Sequence, residues 1–244
     1  MDLFNKTRVY SFLAFGLLTA AAMFPRENDV ARAAVVTTDL NLSAVSSYVF
    51  RGVTINHGPA FQPNVELSAM QASLGLWGSF SLDPRKEETK QEIEVYLRYG
   101  IPVGFAELTL GVWEYMYPED KALDNDREIE LTATMDNLPW QPRVSIYHGL
   151  HGAVEENTYV EFSVNEDLLD LNQLSVSLGF VAGYLNMANA GKDEDGFTHG
   201  MISLGASYQM IDTSFNWILE TDDRLNDLSG QKDFYVQISS GFSF

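Results

Sequence analysis

Acidic and basic side chains recur at alternate positions along much of this sequence, where they could line an aqueous path. Glu92, Glu94 and Arg98 share one phase of a single apolar–polar alternation, for example. Carboxylates arranged in this way attract cations, as rings of acidic side chains do in ion-conducting proteins. The inward-facing set that this phase predicts contains eight Glu and three Arg: Arg51, Glu66, Glu92, Glu94, Arg98, Glu107, Glu128, Glu130, Arg143, Glu161 and Glu220.

The composition excludes several classes of protein. The 244 residues include 15 Lys and Arg against 34 Asp and Glu, for a formal net charge of −19. This balance argues against nucleic acid as a partner, because a protein that grips phosphates needs a basic surface. The absence of Cys excludes disulfides, thiolate metal sites and cysteine nucleophiles.

The N-terminal residues 1–33 have the pattern of a secretory signal peptide. Two basic residues precede an apolar run from Val9 to Phe24, and residues 31–33 read Ala-Arg-Ala, a small-x-small cleavage site. A cut after Ala22 is the alternative. The apolar run is shorter than the about 20 residues of a membrane-spanning helix. We therefore expect residues 34–244 to form the exported domain.

Apolar and polar residues alternate with a period of two through most of the exported domain, which is the pattern of half-buried β-strands. The clearest segment places Ile93, Val95 and Leu97 on one face and Glu92 and Glu94 on the other. Twelve such segments are predicted, and an even number suits a closed, all-β transmembrane barrel of the bacterial outer membrane. They comprise 40–51, 61–69, 73–82, 92–101, 104–117, 127–136, 142–149, 157–165, 173–185, 198–209, 213–222 and 232–244.

The charged polar phase, which is mixed with Gly, Ser and Thr as a water-filled lumen accepts, favours a membrane barrel over a soluble β-sandwich or lipocalin-like barrel, which the periodicity alone leaves open. Longer, charged connections alternate with shorter ones, as extracellular loops alternate with periplasmic turns in outer-membrane barrels. The predicted loops are 52–60, 83–91, 118–127, 150–157, 186–197 and 222–231. The aromatic residues near strand ends that could form interfacial girdles are Tyr48, Phe50, Phe61, Phe105, Phe215 and Phe244.

The last predicted strand ends on an aromatic residue, as does the C-terminal signal by which outer-membrane proteins are recognised for assembly. Phe242 and Phe244 lie on the apolar phase, whereas Ser239 stands where that signal usually has Gly. The expected partners are therefore outer-membrane lipid and the assembly machinery, in addition to small solutes.

Three blocks of the sequence resemble the Gcw_chp family, also called the TorF-like porins. They are Ser47 to Thr54 with the following Gly58 to Gln62, then Glu92 to Tyr96, and finally Gly111 to Pro118. The resemblance covers residues 40–165 and implies a bacterial outer-membrane barrel of poorly defined activity. It supplies no catalytic residues.

A twelve-stranded barrel has a backbone cylinder roughly 24 Å across, which side chains reduce to about 10 Å. That width suits a small solute, before any loop folds inward. Cross-strand ion pairs of Arg98 with Glu107 and of Arg143 with Glu161 would cancel part of the acidic bias. Arg51 is expected at the extracellular rim, where it would brace the first loop or face permeating solutes.

Three functional hypotheses follow from these patterns. The first is a passive outer-membrane channel for small cationic or neutral solutes, and the alternative is a non-conducting barrel with a structural or surface-interaction role. An outer-membrane hydrolase is the third, because twelve-stranded outer-membrane phospholipases use His, Ser and Asn. No Ser lies two residues after His148, where such a motif would place it, and on a strand His148 and His151 face opposite sides. We predict no enzyme activity, no metal site and no cofactor.

Overall fold

The computed structural model describes most of the predicted exported domain. The predicted signal peptide of residues 1–33 and parts of several predicted loops lie outside the described residues. Glu220 and Thr221 are described by their backbone alone. Among the described residues, no helix is long and apolar enough to cross a membrane. The described ranges are 35–83, 91–120, 123–188, 195–221 and 233–244.

The described residues form fourteen strands, twelve of which close into one antiparallel barrel. The strands are β1 (Val36–Val45), β2 (Tyr48–Phe50), β3 (Val53–Asn56), β4 (Ala60–Ala69), β5 (Ala72–Ser81), β6 (Glu92–Val103), β7 (Ala106–Met116), β8 (Asp126–Thr134), β9 (Arg143–His151), β10 (Thr158–Leu171), β11 (Leu174–Asn186), β12 (Gly196–Tyr208), β13 (Ile211–Thr221) and β14 (Phe234–Ser243). Strands β4 to β14 follow one another around the ring, and β1 closes it between β14 and β4. The predicted twelve-stranded barrel is therefore confirmed. The remaining strands, β2 and β3, pair only with each other.

The alternation of residue types separates an apolar exterior from a polar lumen. Val65, Leu76 and Leu110 are exposed on the outer surface, like many other large apolar residues. Residues of the opposite phase are buried, and Glu128 and Ser145 are only 2% and 1% exposed. An apolar exterior around a polar interior is the arrangement of a barrel that crosses a lipid bilayer. A soluble lipocalin-like barrel or sandwich would have the opposite arrangement.

The two ends of the barrel differ in the length of their connections, as predicted. At one end, β10 continues to Leu171, so that the gap between the predicted strands 157–165 and 173–185 contracts to the two residues 172–173. The tight turns at this end begin with a residue whose φ lies between 55° and 60°. Longer connections join the strands at the other end, which we identify as the extracellular end. The tight turns begin at Met70, Gly104, Asn172 and Gln209.

The first predicted strand, 40–51, is wrong in its second half. β1 ends at Val45, and the continuing alternation belongs to β2, which turns back at Arg51–Gly52 into β3. Both turn residues have positive φ, 49° and 83°, as a two-residue hairpin turn requires and an extended strand forbids. Residues 46–59 therefore leave the wall and fold inward, and we call them the lumen hairpin.

Candidate functional site

The lumen hairpin crosses the interior of the barrel near its extracellular end. Tyr48 donates its hydroxyl to Glu92 of β6 at 3.0 Å and packs beside Trp77 of β5, with ring centroids 5.6 Å apart. On the other side, Gly52 lies so close to His199 of β12 that an added Cβ would come within 2.5 Å of that side chain. Because β6 and β12 are six strands apart in a ring of twelve, the hairpin contacts opposite walls.

A bidentate ion pair fastens the tip of the hairpin to the wall. The Nη1 and Nη2 groups of Arg51 donate to Oε1 and Oε2 of Glu128 at 2.9 and 2.6 Å. Tyr115 donates its hydroxyl to the same carboxylate at 2.9 Å. The Arg51 and Glu128 side chains are 16% and 3% exposed, so water screens this pair little. Arg51 therefore lies inside the extracellular end of the barrel, where its partner Glu128 is two residues from Asp126 at the start of β8, and it braces the hairpin.

Aromatic rings surround the guanidinium group of Arg51. Its Cζ atom lies 4.7 Å from the ring centroid of Phe50, 4.7 Å from that of Tyr147 and 4.3 Å from that of Tyr159. All three distances are within the about 6 Å over which cations are attracted to ring faces. We call Glu128, Tyr147 and Tyr159, which belong to the wall, the Arg51 cage.

Half of the predicted lumen carboxylates cluster on one wall. Glu92, Glu94, Glu128 and Glu130 are between 2% and 7% exposed, in the half of the lumen that the hairpin fills. Glu130 accepts hydrogen bonds from Trp113 at 2.7 Å and from a neighbouring threonine at 2.6 Å. The structure therefore brings these four predicted residues together as one acidic wall on β6 and β8.

The predicted ion pair of Arg98 with Glu107 is replaced by an ion pair of Arg98 with Glu66. β6 runs on to Val103 before the tight turn, so the register places Glu107 opposite Pro102, four positions beyond Arg98. The two residues share a face but lie too far apart along the strands. Glu107 is exposed near the short turns.

The predicted pair of Arg143 with Glu161 is also replaced. Arg143 lies opposite Ser163, two positions beyond Glu161, and its Nη2 atom is 3.8 Å from Oε1 of Glu130. Glu161 instead accepts the hydroxyl of Tyr159 at 2.9 Å. The Arg143 side chain is 42% exposed, so this longer contact with Glu130 holds it weakly.

The wall formed by β11–β14 and β1 has a different chemistry. Ser203 donates to Asn216 at 2.7 Å, Asn216 donates to Ser214 at 2.9 Å, and Ser43 donates to Asn41 at 2.8 Å. Away from the rims, the inward positions of this wall are uncharged, and most carry small side chains. They include Asn41, Ser43, Ser177, Gly179, Ser203, Gly205, Ser214, Asn216 and Gln237.

The predicted aromatic girdle residues are divided between the lumen hairpin and the outer surface. The girdle prediction is wrong for Tyr48 and Phe50, which belong to the lumen hairpin. The other predicted girdle residues, Phe61, Phe105, Phe215 and Phe244, are exposed, as is Phe242. Glu220 lies on β13 opposite Gly200, and its side chain is outside the described residues.

A carboxylate organises the extracellular rim. Asp126 at the start of β8 accepts the backbone N–H of Ala153 at 2.5 Å and the hydroxyl of Tyr117 at 2.7 Å. The Ala153 contact fixes the 3₁₀ turn Gly152–Val154 in the loop before β10. Burial, together with the hydrogen bond to Asp126, raises the pKa of Tyr117 above its ordinary value.

The described residues offer little for the hydrolase hypothesis. Nδ1 of His148 lies 3.0 Å from the hydroxyl of Thr158, but no carboxylate or amide within the described ranges orients this imidazole. A hydrolytic triad needs that third group. Those ranges also contain no group of three or more His, Cys, Asp or Glu placed to hold a metal ion.

The two cage tyrosines and the neighbouring Tyr115 were missed from the sequence, although a signal for them exists. Tyr115, Tyr147 and Tyr159 occupy the polar phase of their strands, next to Glu residues of the same phase. A large aromatic side chain on the lumen phase must pack against something inside the barrel, because Tyr normally buries much of its ring. The tyrosines thus indicate a filled part of the lumen.

The closed ring of strands, the apolar exterior, the polar lumen and the unequal ends define a porin-like β-barrel of the bacterial outer membrane. The family is shown by a family model that matches residues 30–242. The chain belongs to the Gcw_chp family, whose description is "Bacterial protein of unknown function".

The chain is similar to solved structures at low sequence identity and with TM-scores below 0.5. An outer membrane channel from Pseudomonas putida F1 is 11% identical with a TM-score of 0.48, over 89% of this chain and 100% of that chain. The Salmonella typhi OmpF protein in complex with daunomycin is 8% identical with a TM-score of 0.38, over 86% of this chain and 97% of that chain. No curated protein matches the sequence.

Proposed function

We propose that the barrel is a passive channel for small cationic or neutral solutes, narrowed by the lumen hairpin. The observation that carries the proposal is the difference between the two walls. The hairpin packs mainly against the acidic and aromatic wall, whereas the wall of β11–β14 and β1 presents small uncharged polar groups. A path along that second wall would be wet, and its bulky inward side chains, such as Met201 and Tyr235, lie in the extracellular half.

The charge balance of the lumen supports a preference for cations. The three Arg lie beside different carboxylates, Arg51 beside Glu128, Arg98 beside Glu66 and Arg143 beside Glu130. Within the described residues, further lumen carboxylates are matched by no Arg. These are Glu92, Glu94 and Glu161. Excess carboxylate in a narrow pore attracts cations and repels anions.

Single-channel recording of the refolded protein in a planar bilayer, across a salt gradient, tests this function. We expect discrete conductance steps with a reversal potential that shows a preference for cations. Glu161→Gln should reduce that preference, because it removes a half-buried lumen carboxylate. Glu114→Gln is the matched control, since Glu114 lies on the outer face in an ion pair with Arg127 at 2.7 Å.

Two results would contradict the proposal. Equal selectivity of the Glu161→Gln and Glu114→Gln variants would remove Glu161 from the conduction path. Silence from a barrel shown to be folded would favour the alternative, a plugged barrel with a structural or surface-interaction role. The filling of the extracellular half by the lumen hairpin is the feature that favours this alternative.

A further inference from the structure

The Arg51 cage has the composition of a binding site for a planar cation, and the protein's own side chain fills it. Glu128 receives both nitrogen donors of the guanidinium fork, while Tyr147 and Tyr159 cover it with ring faces. We propose that the cage is a binding site for the guanidinium group of a small solute, which competes with Arg51 for the same place.

The chemistry of the cage selects guanidinium over ammonium. Two parallel hydrogen bonds at 2.9 and 2.6 Å to one carboxylate require two donors in a fixed fork. A planar, weakly hydrated guanidinium also stacks on aromatic rings, whereas an ammonium is a compact and strongly hydrated point charge. An ammonium ion would therefore use only part of this cage.

The cage is built by the barrel and does not depend on the hairpin. Glu128, Tyr147 and Tyr159 lie on β8, β9 and β10, which are neighbours in the ring. Glu128 also accepts the hydroxyl of Tyr115 at 2.9 Å. Tyr159 donates its hydroxyl to Glu161 at 2.9 Å, and the ring centroids of Tyr147 and Tyr159 are 6.2 Å apart. Only Phe50, the third ring near Arg51, belongs to the hairpin. The cage should therefore persist when Arg51 leaves.

Two features of the docked hairpin cost free energy, which makes it feasible for a solute to displace Arg51 from the cage. Arg51 has a left-handed backbone with φ of 49°, a conformation that side chains other than Gly, Asn and Asp rarely adopt. Nδ2 of Asn56 is buried in the hairpin without a hydrogen-bond partner among the described residues. Leaving such a group unsatisfied opposes docking. A solute that supplies the same guanidinium without these penalties can compete.

This inference rests on the proposed channel function, because it names a class of solute for the same lumen. Its test measures binding and hairpin exposure rather than conductance. A silent barrel that binds guanidinium and a conducting barrel that does not are therefore distinguishable results.

The first experiment empties the cage and refills it. Arg51→Ala, refolded in detergent and verified by heat-modifiable electrophoretic migration, is titrated by calorimetry with methylguanidinium at millimolar, non-denaturing concentrations. We expect saturable binding, with methylammonium at least about tenfold weaker because it cannot form the bidentate contact. Arg51→Ala combined with Glu128→Gln should lose the binding. Equal responses of the single and double variants would overturn the proposal and leave Arg51 as a structural clasp only.

The second experiment tests competition while Arg51 is present. The chain has no Cys, so Thr54→Cys places a single thiol at a hairpin position that is 2% exposed. Methylguanidinium should accelerate labelling of this thiol by a polar maleimide, saturably and more than methylammonium does. Asn137→Cys, in the exposed connection between β8 and β9 at the end of the barrel away from the hairpin, is the control and should label at an unchanged rate. A Thr54→Cys rate that is independent of methylguanidinium would also overturn the proposal.

Discussion

Breaking the ion pair at the tip of the lumen hairpin should open the barrel. We expect Arg51→Met, which keeps an aliphatic side chain but removes the fork, to release the hairpin from the wall. Removing one partner of a buried ion pair typically costs about 3–5 kcal/mol, because the other charge stays buried without compensation. Glu128 is 3% exposed but keeps the hydrogen bond from Tyr115, so the lower end of that range applies.

The expected change in hairpin occupancy is large. A loss of about 3 kcal/mol shifts the ratio of docked to released hairpin roughly a hundredfold, since each 1.4 kcal/mol is a factor of ten. Single-channel recording in a planar bilayer should therefore show larger or more frequent open states for Arg51→Met than for the wild type. The wild type should spend most of its time in the smaller state.

A double variant separates the ion pair from the bulk of the hairpin. Arg51→Met combined with Glu128→Gln leaves no buried charge unpaired, so its conductance should return part of the way toward the wild type. If Arg51→Met conducts as the wild type does, with a folded barrel, the hairpin does not limit the pore. That result would refute the reasoning from the ion pair to the constriction.

Three further substitutions test other contacts. Gly75→Ala should destabilise the barrel by about 1–3 kcal/mol in urea unfolding, because the new Cβ would lie 2.0 Å from a tyrosine ring on β6. Gly179→Ala, whose Cβ meets nothing closer than 3.5 Å, is the control, and equal stability of the two would contradict this packing. Gly52→Ala should loosen the hairpin and so increase conductance, because a Cβ is disfavoured at a φ of +83° and would lie 2.5 Å from His199. Unchanged conductance would show that the hairpin accommodates the Cβ. Asp126→Ala should speed protease cleavage in the loop 152–157, and an unchanged rate would mean that other contacts hold that loop.

The sequence predicts the barrel well because its physical signal is local and repeated. In β6, Glu94 faces the lumen and Val95 faces the lipid, and the same alternation marks the other barrel strands. A membrane barrel requires this alternation in every strand, because a register shift of one residue would turn every side chain of a strand to the wrong face. The assignment of Glu128 and Glu130 to the interior follows from the same phase.

The lumen hairpin could not be predicted in this way. The alternation resumes at Tyr48 and Phe50 after Ser46, a single polar residue on the apolar phase, and this break is too weak to mark the end of β1. What turns the chain inward is a pair of positive φ angles at Arg51 and Gly52 and an ion pair to a residue 77 positions away. Such a contact between distant residues depends on the closed ring, which brings the hairpin tip and β8 together.

The ion pair couples the width of the lumen to its charge. When Arg51 is docked, it fills space and also neutralises Glu128, one of the most deeply buried carboxylates of the acidic wall. When the hairpin leaves, the passage widens and that carboxylate loses its cation. Conductance and cation preference should therefore increase together in Arg51→Met, because both depend on the same guanidinium group. A plug that acted by its volume alone would increase conductance and leave the reversal potential in a salt gradient unchanged.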